Sequence, residues 1–594
     1  MPVMRIKAIF HRLFQSVSED GYKLTYMRIR RKLHSKYGAR AFKKAWQLKE
    51  KDREYQEKRL FDRTATISIL VPLYNTPLQF LSEMLDSVQA QTCRHYELCL
   101  ADGSDGEHTE VGEIVKRRAL NDNRIRYIKL ANNKGISENT NACIQMATGS
   151  YFALLDHDDL LHPSALYYVM EAIERTGADF IYTDEATFKK HPKDAYLPHF
   201  KQDFSPDTLR AHNYICHLTV FSRELAEKVG CFRTAYDGSQ DFDMVLRLTE
   251  KAKKIVHIPR ILYYWRNHQA SVAFDVAAKP YVVSAAKAAI EDHLGRMGMQ
   301  GKVMDTVVPS IYRISYAVEE KALVSIIIPT SDHVEKLQKC IASILEKTDY
   351  RPYEIMIVEN NSKEQRTFDY YESLKSDGRI KVLVWSKPFN YSAINNFAAT
   401  HASGKYLLFL NNDTEIINPG WMTEMLMFAQ RPDVGAVGAK LYYPDGSVQH
   451  AGIGIGLLTL AGHYHRGFPH DDYGYMGRLQ YQQNVSAVTG ACLLMRAQMY
   501  RELGGMEETL AVNFNDVDLC LRIRERGYLI VFTPFAELVH YESLSRGTDE
   551  SPEKRKRYLQ EEAFMRGRWA KQLEEGDPYL GPNFDPLRED FSYR

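Results

Sequence analysis

Nothing constrains this chain more than an internal repeat. Ile67-Ser68-Ile69-Leu70-Val71-Pro72 returns as Val324-Ser325-Ile326-Ile327-Ile328-Pro329, at an offset of 257 residues. At the same offset Tyr96-Glu97 returns as Tyr353-Glu354, and the turn at Asp102-Gly103-Ser104 as Glu359-Asn360-Asn361-Ser362. An apolar run ending in acids, Phe152 to Asp159, returns as Leu407 to Thr414 at an offset of 255. Ser239-Gln240-Asp241-Phe242-Asp243 returns as Phe514-Asn515-Asp516-Val517-Asp518 at an offset of 275. The chain therefore holds two copies of one domain, and the second has gained about 20 residues between its last two landmarks. A length of 594 residues agrees, since single cores stop growing near about 300 residues.

Within each copy, short β-rich runs alternate with helical ones. In the first the pattern predicts strands at 67–71, 96–101, 125–129 and 151–155, with helices at 78–90, 109–119 and 137–147. Such alternation implies an α/β fold, a mostly parallel sheet covered on both faces, with ligands at the carboxyl ends of the strands. The expected divisions are a basic helical extension at 1–60, domains at 61–315 and 316–575, and a C-terminal tail at 576–594.

Net charge is +1, but residues 1–49 carry thirteen Lys/Arg against Glu19 and Asp20. That basic, amphipathic segment suits a membrane surface, with a solvated helical extension or a grip on an anionic substrate as alternatives. Its apolar run is broken by charge, unlike a secretory signal, and no stretch reaches the 18 or so apolar residues that span a bilayer. Eight scattered cysteines with no Cys-x-x-Cys pair read as buried reduced thiols, so a cytoplasmic location is expected. Nothing in the pattern points to nucleic acid.

Chemistry concentrates at the strand ends. Asp156 and Asp158 project to one side of an extended strand end, and two converging carboxylates attract Mg²⁺ or Mn²⁺. The alternative is a polar loop capping the next helix. Asp102 sits where a strand breaks into a turn, as an Asx turn or as a contact to a nucleotide base. Asn141 either touches the nucleotide or holds its loop. Asp241 and Asp516 open amphipathic helices, where the helix dipole alone favours an acid, yet a transferase also needs a carboxylate base. His268 and His540 close the two copies as ligands or as structural residues. The inserted stretch from His450 through His465 to Asn484 is a loop by composition, a sugar-binding lid or a surface insertion.

Together these motifs resemble tandem family 2 glycosyltransferases of the GT-A fold, across residues 64–271 and 322–546. The resemblance implies two nucleotide-sugar-binding domains, a divalent metal (Mn²⁺ or Mg²⁺) and inversion at the anomeric carbon. It implies nucleotide-sugar contacts at Pro72, Tyr74, Asn75, Asp102, Asn141 and Asp156, and at Thr330, Glu359, Asn396 and Asn411. Metal would fall to Asp156, Asp158 and His268, and to Asp413 and His540, with Asp241 and Asp516 as bases. The second copy departs from the pattern at Glu359 and Asn411.

The resulting expectation is a bifunctional enzyme of bacterial surface-polysaccharide synthesis at the inner face of the cell membrane. It would take UDP- or dTDP-linked donors and a lipid-linked glycan acceptor. The rival is a single-site enzyme whose second copy binds glycan or scaffolds. A sugar nucleotidyltransferase would want a Gly-rich basic loop where Pro72-Leu73-Tyr74-Asn75 stands.

Overall fold

A computed structural model describes residues 46–62, 65–268, 280–319, 321–541 and 551–594. They form two units that divide between Tyr312 and Arg313. In the first, the strands Ile67–Leu73, Tyr96–Asp102, Ile125–Lys129 and Tyr151–Leu154 run parallel, with Ile67–Leu73 between the second and the fourth. Ile67, Ile69, Leu70 and Val71 are fully buried, because helices cover both faces and leave no polar side to alternate with. Beyond Tyr151–Leu154 the sheet turns antiparallel through Thr219–Ser222, then continues with Phe180–Phe188 and Ile255–Arg266.

The second unit repeats this order. Val324–Thr330, Tyr353–Glu359, Ile380–Val384 and Tyr406–Leu410 are parallel, and Cys492–Arg496 follows antiparallel, beside Val434–Tyr442 and Leu529–His540. Ile67 pairs with Tyr96 and Val324 with Tyr353, so the 257-residue offset is a shared strand register.

The repeated Tyr-Glu is scaffold. Glu97 accepts from Ser68 Oγ, Thr148 N and Gly149 N, while Glu354 accepts from Ser325 Oγ and Ser403 N. Each glutamate staples the first two strands to the turn before the acid-bearing strand. The turn needs glycine there, since a Cβ on Gly149 would sit 2.5 Å from Ser68 Oγ, and one on Gly404 2.7 Å from Ser325 N. Burial pushes the Glu97 carboxyl up, but its hydrogen bonds and Arg126 pull it down to about 2. A lowered folded value means stability present above the ordinary glutamate range and lost as pH falls toward about 2. Glu97→Gln is accordingly expected to cost about 2 kcal/mol at neutral pH and progressively less as pH falls toward about 2, read from urea titrations across that range.

Two expectations change. The stretch from His450 to Asn484 is no open lid: the strands Ile453–Ile455 and Ala461–His463 pair, and Leu457, Leu460, Tyr464 and Leu479 are buried. The residues after 576 are not a loose tail either. Asp577 accepts from Ile455 N, Glu589 from His463 N, and Phe591 stacks on His465 at 4.5 Å. Small glycines bring the insertion's backbone close, and the aromatic C-terminal residues close over it.

Of the basic extension, residues 46–62 pack on the first unit. Trp46 meets Tyr264 edge-on, and Arg59 bonds Glu171 and Glu174. The membrane-contact expectation rests mainly on residues 1–45, which lie outside the described residues. Among the described residues no helix is long and apolar enough to cross a membrane. All eight cysteines are free.

Each copy ends with a helix that braces its own Asp241 or Asp516 helix. Asp243, two residues beyond Asp241, binds Arg247 and Arg233, and Arg233 also binds Asp292 on the helix Pro280–Arg296. Asp518 binds Arg522 and Trp569 Nε1, at the end of the helix Pro552–Arg568.

Candidate active sites

The carboxyl ends of the strands gather the predicted residues in both units. In the first, Asn75 has positive φ and is fastened to the next turn: its N–H donates to Ser104 Oγ at 2.9 Å and its amide to Asp105. Asp332 does the same work in the second unit through Ser362 Oγ. Tyr74 stands half-exposed at the lip beside Pro72.

Asp102 is buried and takes Ser104 N, Tyr127 Oη and Lys129 Nζ, the first two at 2.8 Å. Glu359 likewise takes Ser362 and Tyr371. Both acids build the turn they sit in, which is the Asx-turn alternative. Asn141 is spent on backbone, bonding both the N–H and the carbonyl of Phe232. Asn396 is held the same way by Met506, with Tyr500 Oη donating to it. In both units this asparagine anchors a loop. It recurs because the loop recurs.

The acid motif divides by role. Asp159 is fully buried, and Tyr263 Oη and Arg266 N both reach it at 2.6 Å. Burial and the neighbouring Asp158 and Asp156 push its carboxyl well up, and its two hydrogen bonds make it a post that orders the loop. Asp158 Oδ2 lies 2.7 Å from His268 Nε2. Asp156 is instead 3.7 Å from His217 Nε2, a residue sequence reasoning did not single out. Ligand atoms of Asp156, Asp159 and His217 all lie within 4.8 Å of one another. Those three, with the Asp158–His268 pair beside them, are the donors this unit could offer a divalent cation.

In the second unit Asp413 Oδ1 and Asn411 Nδ2 both lie 3.2 Å from His540 Nε2. His540 Nδ1 meets Gln449 Oε1 at 2.7 Å, an acceptor that keeps the proton on Nδ1. Nε2 thus faces the Asp413 carboxylate, an imidazole and a carboxylate together at one point. The donor set fits a divalent ion with one charge fewer than the first unit's. Asn412 donates to Thr330 Oγ1, tying that strand end to the motif.

Asp241 lies in the first turn of the helix Gln240–Lys251 and accepts Asn213 Nδ2 at 2.9 Å. Asp516 opens the helix Asn515–Glu525 and accepts Gly490 N and Val517 N, each at 2.8 Å. Burial raises both carboxyls. For Asp241, His217 opposes the rise and Asp156 adds to it. Both are carboxylates beside the acid motif and suited to taking a proton.

His217 is itself positioned from below. Its N–H donates to Glu185, and Lys201 Nζ bonds Glu185 and the carbonyls of Ile215 and His217. No periodicity marks these partners, and the second copy lacks them, so the repeat gave no signal.

A family model described as glycosyl transferase family 2 matches residues 68–230 and 325–504. Protein y4gI of Sinorhizobium fredii is 44% identical over 533 residues, 88% of this chain and 58% of that protein. The O-antigen biosynthesis protein RfbC of Myxococcus xanthus is 36% identical over 527 residues, 88% of this chain and 40% of that protein. The chain thus spans 58% and 40% of the length of these two relatives. A chondroitin synthase of Escherichia coli is 24% identical over 212 residues, 36% of this chain and 30% of that protein.

Proposed function

The chain belongs to glycosyl transferase family 2, and from that premise we propose that it is an inverting glycosyltransferase with two active sites. Its donors would be nucleotide sugars, UDP- or dTDP-linked. Its acceptor would be a lipid-linked or growing glycan of a bacterial surface polysaccharide, the kind of process named by the O-antigen relative. The observation that carries the two-site reading is the pair Asp241 and Asp516. Each is a partly buried carboxylate in the first turn of a helix at the same place in its copy, beside a strand end bearing Asp156 and Asp158 or Asp413.

In this reading the base accepts the hydroxyl proton of the acceptor as its oxygen attacks the anomeric carbon. Asn213 and the Gly490 N–H hold the two bases in place. A bound Mn²⁺ or Mg²⁺ supplies positive charge beside the departing diphosphate. Asp158 with His268, and Asp413 with His540, would hold it. The basic N-terminus would keep the enzyme at the inner face of the membrane, close to a lipid-linked acceptor.

The substitutions Asn411 and Glu359 favour a second reading, in which only the first unit is catalytic and the second binds glycan. Nucleoside diphosphate release from a panel of donors separates the two. If both sites work, Asp516→Asn abolishes release from one donor and leaves another at the wild-type rate. If Asp516→Asn changes release from no donor, the second unit is a binding module.

A further inference from the structure

We propose that His217 contacts the donor sugar and sets which sugar the first unit accepts, and that the second unit takes a different one. The inference rests on the two-site reading above. His217 is buried and its ring cannot swing: it stacks on Tyr263 at 4.5 Å with an interplanar angle of 11°, and Trp265 meets it edge-on at 5.6 Å. Glu185 and Lys201 fix the backbone on both sides of it. The ring lies 3.7 Å from Asp156, on the diphosphate side, and near Asp241, on the acceptor side. The group that a transferase holds between departing diphosphate and attacking hydroxyl is the sugar. His217 Nδ1 is buried with no hydrogen-bond partner, a costly state for a polar atom unless a ligand or water completes it.

The second unit is built differently at this point. Ala153 pairs with Val220 and Leu408 with Leu494, and Ala153 corresponds to Leu408, so the strand after the acid motif is offset by 274 residues. His217 therefore corresponds to Ala491. A ring enters the second pocket from another side: Tyr391, which corresponds to Ile136, donates to Gly490 O at 3.0 Å and lies 3.4 Å from Asn411 Oδ1. Ile136 is partly exposed and cannot hydrogen-bond. One pocket offers an imidazole beside Asp156 and the other a phenol beside Asn411. A pocket that hydrogen-bonds a substrate group rejects the sugar that lacks it.

The test uses the full chain carrying Asp516→Asn, so that only the first unit turns over. His217→Ala should lower kcat/KM for the preferred nucleotide sugar at least tenfold and flatten the ranking across the donor panel. His217→Gln, which keeps an N–H, should recover part of both. Saturation-transfer NMR should show sugar-proton signals falling in His217→Ala while nucleoside-proton signals persist, and thermal melts would confirm that the variants are folded. An equal fall for all donors with the ranking intact, or loss of the nucleoside signals too, overturns the proposal. If the wild type turns over no nucleotide sugar, it is the transferase reading that fails, and the NMR comparison still decides His217. A wild type giving no sugar-proton signal at all would overturn both.

Discussion

Asp241→Asn is expected to lower kcat for the first unit's donor by about a thousandfold, within the 10²–10⁴ range of a lost general base. KM for the donor should hardly move, because the carboxylate faces the acceptor. The substitution is nearly isosteric, and Asn213 can still donate to an amide oxygen at this position. Its effect on stability runs the other way. Burial raises the Asp241 carboxyl, so in the folded state the charged form is disfavoured and stability falls as pH rises through the interval between the unfolded and folded values. Removing the charge makes the variant at least as stable as wild type at neutral pH. The same shift sets the acid limb of activity: the base works only when deprotonated, so turnover falls as pH drops through a value above the usual aspartate range. Initial rates from pH 4 to 8, beside urea titrations at pH 7, check all three expectations. A variant that loses activity and stability together would place Asp241 in the scaffold.

The second large effect lies beneath the site. Lys201 and Glu185 are a buried ion pair, with Lys201 Nζ 3.2 Å from Glu185 Oε2 and 2.6 Å from the Ile215 carbonyl. Burial pushes Glu185 up, but Lys201 and His199 pull it down to about 2. Lys201→Met leaves that buried carboxylate with only His199 and the His217 N–H beside it and should cost the first unit about 3 kcal/mol. It also releases the carbonyls that fix His217, so turnover by the first unit should fall even in conditions where the variant is folded. The double variant Glu185→Gln/Lys201→Met should regain most of the stability, since a buried pair replaced by neutral groups of similar volume is near neutral. It should regain less of the activity, because the Ile215 and His217 carbonyls remain without their donor. Equal recovery of both would mean the pair contributes only stability.

The succession of strands and helices at the start of each copy was legible because it follows from hydrophobic pattern, a local property that repeats, whereas the antiparallel strands Thr219–Ser222 and Cys492–Arg496 were not. The strand-end acids and the first-turn aspartates were legible for the same reason. What repetition cannot do is separate a site from a scaffold. Asn141 and Asn396 recur because a loop needs both ends of an amide, and Asp102 and Glu359 because a turn needs an acceptor. His217 stayed hidden for the opposite reason. It is a residue at which the copies differ, so a search for recurrence passes over it, and its supports Glu185 and Lys201 are brought to it only by the folded sheet. The insertion misled through composition: glycine, histidine and tyrosine read as a loop, yet the closing C-terminal residues make it interior.

The brace helices bear on how the protein is made. A ribosome delivers Pro280–Arg296 before any strand of the second copy, so the first base helix has its partners while translation continues. The second base helix waits for Pro552–Arg568 and Trp569, which follow every strand of its sheet. Each half can therefore mature vectorially with contacts drawn from its own stretch of messenger. A duplication that carried each closing helix along with its catalytic core would have produced two units able to fold, and to diverge, without waiting for one another.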